Sequence, residues 1–190
     1  LHDRAKTSPK RLVFAEADQM DVLKAAQIVQ EEGIAIPILL GNRATIEDLR
    51  TAISFDDDVE IIDPKEETYN DQRNIYAELF WKDQRRKGYT QYDTLRLMRE
   101  RNYFASMMIK NGDADAMISG YSRNYRSVVK PILETISKAK GVSRVAATNL
   151  MLTKTGPLFL SDTTINVDPS AKELAKITQM TANMAKLFGL

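Results

Sequence analysis

The chain has 190 residues, 43% of them hydrophobic and 28% charged, a composition that fits one globular domain or two small ones and excludes disordered and collagen-like chains. Lys plus Arg number 27 against 26 Asp plus Glu, so a net charge of +1 provides no overall field for nucleic acid or an anionic membrane, and any anion site must be local. Cysteine is absent, which removes disulfides, thiolate metal sites and thiol nucleophiles and accords with a cytoplasmic protein. The only histidine, His2, sits at the terminus, which removes histidine triads, histidine-rich zinc sites and histidine bases.

No run reaches the ~20 apolar residues needed to span a bilayer, and the opening LHDRAKTSPK lacks the apolar core of a signal peptide, so a soluble chain is expected. It begins without Met and ends on AKLFGL directly after a helical pattern, and both ends read as cut from something longer. Arg11 to Ala15 predicts a buried strand, and from Asp18 the spacing becomes helical, with Val22, Leu23, Ala26, Ile28 and Val29 apolar before Gly33. Ile36 to Leu40 predicts a second strand closed by Gly41-Asn42, followed by a helix whose Ile46, Leu49 and Ile53 share a face. Val59 to Ile62 predicts a third strand, ended by Asp63-Pro64. Short strands alternating with helices predict a parallel sheet with crossover helices, because parallel neighbours cannot be joined by a tight turn.

Tyr69 to Asn111 reads as continuously helical, broken at Gly88-Tyr89-Thr90 with Thr90 as N-cap, and is expected to bridge two subdomains. Ala116 to Ile118 predicts a further strand. A helix from Tyr125 to Lys138 follows, with Pro131 either in its first turn or kinking it. Arg144 to Thr153 and Pro157 to Ser161 flank Lys154-Thr155-Gly156 and predict an antiparallel hairpin. The last helix spans Pro169 to Phe188, with Leu174, Ile177, Met180, Thr181, Met184 and Leu187 on one face. Asp56 to Asp71 is acidic and reads as a solvated loop, whereas Lys82 to Arg101 and Arg123 to Arg144 are basic.

Two clusters suggest chemistry. A buried strand ending in Ser119-Gly120 just before a helix places small residues and backbone N–H groups at the carboxyl edge of a parallel sheet, where such sheets bind ligands. Arg123, Arg126 and Lys130 follow closely enough to neutralise a phosphate there. The alternative is an ordinary strand-to-helix turn. Asp162-Thr163-Thr164-Ile165-Asn166 lies between the hairpin and the last helix. Asp162 is suited either to orient a ligand hydroxyl or amide or accept a proton, or to cap a turn or the start of the next helix. Asp113 and Asp115, two apart, show no sign of forming an acid/base pair.

RNYFASMMIKNGDADAMISGYSRNYRSVVKPILETI, then RVAATNLMLTKTGPLFLSDTTINVDPSAKELAKIT, resembles the phosphate acetyltransferase/butyryltransferase family over nearly the whole chain. Arg101-Asn102-Tyr103-Phe104 and Arg123-Asn124-Tyr125 make it most similar to the phosphotransacetylase-like C-terminal domain of bacterial NADP-dependent malic enzymes. The resemblance implies a three-layer α/β/α architecture with a mixed sheet, in two subdomains related to isocitrate/isopropylmalate dehydrogenase, and a dimer or higher homo-oligomer. It places residues 1–110 in the first subdomain with its helical bridge and 111–190 at the start of the second. The family's catalytic Ser-Arg and Asp motif falls beyond Leu190, so no catalytic residue is identified in this chain.

What carries over are candidates for acetyl-CoA or phosphate binding: Ser119, Gly120, Arg123, Lys130, Asp162, Thr163, Arg85 and Arg86. Lys130 stands where transacetylases usually have Arg, which keeps the charge and loses the bidentate fork. The malic-enzyme resemblance implies a regulatory and oligomerisation module with acetyl-CoA or CoA as ligand. NADP, a divalent metal (Mg or Mn) and malate oxidation then belong to a domain outside this chain. The alternatives are a phosphate acetyltransferase and a purely structural dimerisation module. None of these readings calls for nucleic acid or membrane.

Overall fold

The structure, a computed structural model, describes residues 2–55 and 58–189; Asp56 and Asp57 of the acidic run lie outside the described residues. It divides into a unit of residues 1–137 and a unit of residues 138–190. The first opens with a one-turn helix α1 (His2–Lys6) and then alternates β1 (Lys10–Phe14), α2 (Met20–Glu31), β2 (Ala35–Leu40), α3 (Arg43–Ile53) and β3 (Glu60–Ile62). A 3₁₀ turn (Glu67–Tyr69), α4 (Asn70–Gln84), a second 3₁₀ turn (Arg85–Lys87), α5 (Gln91–Leu97), α6 (Arg101–Asn111), β4 (Ala116–Ile118) and α7 (Tyr125–Thr135) complete it.

The four strands are parallel, in the order β3-β2-β1-β4. Side-chain alternation sorts their residues into two cores. Val13, Ile38, Leu40 and Ile62 face α4, α5 and α6, joining Tyr76, Phe80, Met98, Phe104 and Met107. Phe14, Leu39 and Ile61 face α2 and α3, joining Leu23, Ala26 and Ile46. Helices on both faces of a parallel sheet give three layers, because each strand has two apolar faces to remove from water.

Two sequence expectations change here. Residues 69–111 form one layer of the first unit, not a bridge: Tyr76, Phe80, Phe104 and Met107 are at most 2% exposed against the sheet. β4, expected to open the second subdomain, pairs with β1 through Leu12↔Ala116, Val13↔Met117 and Phe14↔Ile118. The division therefore falls after Ser137, not at residue 110. The acidic run is also more than a solvated loop. Asp63 is buried, accepting from the Lys65 amide at 2.9 Å, and Glu66 pairs with Arg43 at 2.9 Å.

Local signals explain the helix ends. Thr90 and Asp93 form a reciprocal capping box at the start of α5. The break between α5 and α6 comes from Glu100, whose carboxylate accepts from the amides of Asn102 and Tyr103 at 3.0 and 3.1 Å. Pro131 is the seventh residue of α7 and has no N–H for the Ser127 carbonyl four residues back; that carbonyl accepts instead from Asn102 Nδ2 at 3.4 Å.

The second unit holds an antiparallel pair, β5 (Thr148–Thr153) and β6 (Gly156–Ser161), joined through Lys154-Thr155 in the register Thr153↔Gly156, followed by α8 (Ala171–Leu187). Ser170 and Glu173 cap α8 reciprocally, and Glu173 also pairs with Arg144. Phe159 and Phe188 meet edge to face at 5.4 Å. Of the expected apolar stripe on α8 only Ile177 is fully buried; Leu174, Met184 and Leu187 are exposed. Parallel and antiparallel pairings thus both occur, in separate sheets.

Candidate functional site

The Ser119-Gly120 turn leaves the carboxyl end of β4 beside the end of β1. Its amide donors converge on a carboxylate of the protein itself, Glu16, which is 1% exposed. Glu16 Oε1 accepts from the Gly120 amide at 2.6 Å and the Tyr121 amide at 3.0 Å; Oε2 accepts from the Ser122 amide at 2.7 Å and from the Ser122 hydroxyl. Burial pushes the Glu16 carboxyl upward, but the Ser122 hydroxyl and the Gly120, Ser122 and Tyr121 amides outweigh it and hold the pKa at about 2. An internal anion therefore occupies the donors expected to meet a phosphate. The sequence signal missed is Glu16 itself: a lone carboxylate closing an apolar strand has no local partner and finds one 104 residues away.

Ser119 donates to Asn102 Oδ1 at 2.8 Å. Asn102 is 1% exposed and thereby links the β4 turn to the carbonyl that Pro131 leaves without a donor in α7. Its neighbour Arg101 grips Asp18 with two bonds of 2.7 and 2.8 Å, anchoring α6 at the end of β1. Tyr103 donates to Glu134 Oε2, and Tyr89 donates to both oxygens of that carboxylate at 3.0 Å. Burial first, then Glu134, raises the pKa of both phenols, which remain protonated donors. Asn124 caps α7 by accepting from the Ser127 amide at 2.9 Å. The Arg-Asn-Tyr residues at 101–103 and Asn124 are thus the joints that hold β4, α6 and α7 in place.

Lys130 extends from α7 and lies 3.9 Å from Glu134, half-exposed. Arg85 and Arg86 are exposed on the 3₁₀ turn after α4, with the Arg85 guanidinium 5.6 Å above the Trp81 ring. Gln84 binds the carbonyl of Glu134 and so brings this turn to the end of α7 that carries Lys130. Beside it, Tyr89, Asp93, Arg96, Leu97 and Glu100 help to line a cavity of about 520 Å³. Arg123, although only three residues past Gly120, lines a different cavity. Among the described residues no group of three or more acidic, His or Cys side chains is placed to hold a metal ion, and no helix is long and apolar enough to cross a membrane.

Asp162 and Thr163 belong to the second unit. The Asp162 carboxylate accepts from the Ala147 amide at 2.9 Å, the Asn166 amide at 2.8 Å and the Asn166 side chain. Burial opposes ionisation, but these donors prevail and hold the pKa at about 2. Asp162 therefore ties the segment before β5 to the loop after β6.

A three-layer parallel α/β unit followed by a hairpin-and-helix unit defines the chain as an α/β protein of two compact units. The family model for Phosphate acetyl/butaryl transferase matches residues 1–190, and the chain belongs to that family. It is 34% identical over its whole length to 25% of an NADP-dependent malic enzyme from Haemophilus influenzae. It is likewise 31% identical over its whole length to 36% of a phosphate acetyltransferase from Helicobacter pylori. Among solved structures, a phosphotransacetylase from Streptococcus pyogenes superposes with a TM-score of 0.87 at 30% identity, covering all of this chain and 57% of that one. The chain thus spans a quarter to about a third of these two curated relatives. The resemblance read from the Arg-Asn-Tyr and Ser-Gly motifs is matched by relatives of both kinds.

Proposed function

We propose that this chain is the phosphotransacetylase-like module of an NADP-dependent malic enzyme, where it binds acetyl-CoA as a regulatory ligand and supports homo-oligomer formation. In this reading NADP, the divalent metal and the oxidative decarboxylation of malate to pyruvate belong to another part of the protein. The observation that carries the binding role is that the candidate turn spends its amides on Glu16, and Asp162 on the loops of its own unit, while the candidate side chains left exposed are cations. What the candidate residues offer outward is cationic: Lys130, Arg85, Arg86 and Arg123, groups that suit the phosphates of an acyl-CoA. Lys130 in place of the usual Arg, close to Glu134, points the same way.

The test is to titrate acetyl-CoA into the purified protein while assaying malate oxidation with NADP and, separately, formation of acetyl-CoA from CoA and acetyl phosphate. Saturable binding with a rise in melting temperature, inhibition of malate oxidation and no acyl transfer are expected. Steady turnover of acetyl phosphate would replace the proposal with a phosphate acetyltransferase. Absence of binding at millimolar acetyl-CoA would replace it with a structural module.

A further inference from the structure

Asn111 is the only asparagine of the chain followed by glycine. It is the last residue of α6 and is exposed, and Gly112 after it turns the backbone at φ 85°. A Cβ at Gly112 would meet nothing within 4 Å, so the approach to the peptide bond between the two residues is open on that side. The Gly112 nitrogen is placed by the covalent chain to close a five-membered ring on Asn111 Cγ. A side chain on the following residue hinders that closure, and glycine does not.

Three contacts hold the end of α6 shut. The Gly112 amide donates to the Ile109 carbonyl at 3.2 Å, the long end of the normal range, and the Asp113 amide donates to the Met108 carbonyl at 2.8 Å. From β1, Arg11 Nη2 donates to the Gly112 carbonyl at 2.7 Å, and the same guanidinium is held by Asp115 at 3.2 Å. The last turn of a helix opens more readily than its middle, because part of its hydrogen bonding is missing. Arg11 is therefore the clamp on the segment that must move for the ring to close.

We infer that Asn111-Gly112 is a site of spontaneous deamidation by water, at a rate set by opening of the α6 end that Arg11 clamps. When that end opens, the Gly112 nitrogen gives its proton to hydroxide and its electron pair bonds to Asn111 Cγ. The bond from Cγ to Nδ2 breaks, the leaving nitrogen takes a proton from water, and ammonia departs from a succinimide. Water then adds to one of the two ring carbonyls and the ring C–N bond breaks there, giving aspartate or isoaspartate. One water is consumed and one ammonia released, with no oxidant or reductant.

The product alters the join between α6 and β4. Asn111 Nδ2 donates to Asp113 Oδ2 at 2.9 Å, and the Tyr76 phenol donates to the same oxygen from the core. Burial raises the Asp113 pKa, but donation from Tyr76 and Asn111 outweighs it and keeps the group below the usual carboxylate range. Deamidation puts a second carboxylate where the Asn111 donor was, and isoaspartate also lengthens the backbone by one methylene. Only residues 112–115 connect α6 to β4, so either product loosens the strand that pairs with β1.

The experiment is incubation of the full chain at 37 °C, at pH 7 and pH 9, followed by peptide mass mapping and an isoaspartate-specific methyltransferase assay. Asn111 is expected to react faster at pH 9 than at pH 7, and ahead of Asn74 and Asn183, exposed helical asparagines followed by Ile75 and Met184. Arg11→Ala is expected to raise the folded-state rate about fivefold. Asp115→Asn, which loosens the Arg11 guanidinium without removing it, is expected to raise the rate by less and serves if Arg11→Ala does not fold. In urea all three proteins are expected to share one faster rate, which Gly112→Ala lowers about tenfold. Melting temperatures show which variants are folded at 37 °C. Reaction of Asn111 no faster than of Asn74 and Asn183, or a urea rate unchanged by Gly112→Ala, overturns the site. A folded-state rate equal to the urea rate, or one that neither Arg11→Ala nor Asp115→Asn raises, overturns the clamp.

Discussion

Replacing Glu16 with Gln tests whether the β4 turn is held by an internal anion. Glutamine keeps the size and one acceptor oxygen but puts an NH₂ group where the second oxygen was. If the remaining oxygen keeps the Gly120 and Tyr121 amides, the Ser122 amide, now 2.7 Å from Oε2, faces a donor and loses its acceptor. An unsatisfied buried N–H costs about 1–3 kcal/mol, and loss of charge assistance to the other bonds adds about 1 kcal/mol. The pKa gives an independent figure. A carboxyl moved from 4.5 to about 2 is stabilised by about 3 kcal/mol, at 1.36 kcal/mol per unit. The sign follows from linkage. Because the folded-state pKa is the lower one, the stabilisation is complete above pH 4.5 and is lost as the pH falls towards 2. Urea denaturation followed by Trp81 fluorescence should therefore show Glu16→Gln about 3 kcal/mol less stable at pH 7, with the gap closing between pH 4.5 and 2. A gap under about 1 kcal/mol at pH 7, or one unchanged from pH 7 to pH 2.5, would refute the internal-anion account.

Asn102→Ala removes the acceptor for the Ser119 hydroxyl and the donor for the Ser127 carbonyl, and should cost about 2–4 kcal/mol by the same denaturation assay. Asp162→Asn should speed amide hydrogen exchange at Ala147 and Asn166 about tenfold. In the unaltered protein that protection should fade as the pH falls from 3.8 towards about 2, since the Asp162 pKa is depressed. Gly112 ends α6 at φ 85°, and a methyl group added there would meet nothing within 4 Å, so Gly112→Ala should cost about 1 kcal/mol through backbone strain alone, read from the same urea curves.

The strands of the first unit are legible because both faces of a buried parallel strand are apolar, and runs such as Ile36 to Leu40 stand out against their surroundings. Thr90, Gly33 and Gly112 mark chain turns through local chemistry alone. What stays hidden depends on partners distant in sequence. The unit to which β4 belongs cannot be read locally because its pairing with β1 spans 104 residues. The α5–α6 break escapes notice because Glu is a weak cap by propensity and succeeds here only by reaching two amides. Ile28 fits the helical period of α2 yet is 52% exposed, since periodicity reports which residues can share a face and not how wide the covered stripe is. The candidate residues show the same limit: the turn chemistry points to Ser119 and Gly120, and the group that meets their turn lies too far along the chain to be paired with them.

The distribution of carboxylates at the sheet edge connects these local facts. Glu16 and Asp18 follow β1 and Asp63 follows β3, and each is turned inward: Glu16 onto amides of the β4 turn, Asp18 onto Arg101, Asp63 onto amides beyond β3. Each carboxylate thereby offsets its own burial, as buried charges must. Their oxygens are taken up by internal donors, which leaves the charge in place and few acceptors facing outward. Lys65, Arg96, Arg99 and Arg123 line a cavity at the same edge together with Asp63 and Glu100. Substituting Glu16 should therefore loosen the β4 turn and with it the loop that carries Arg123.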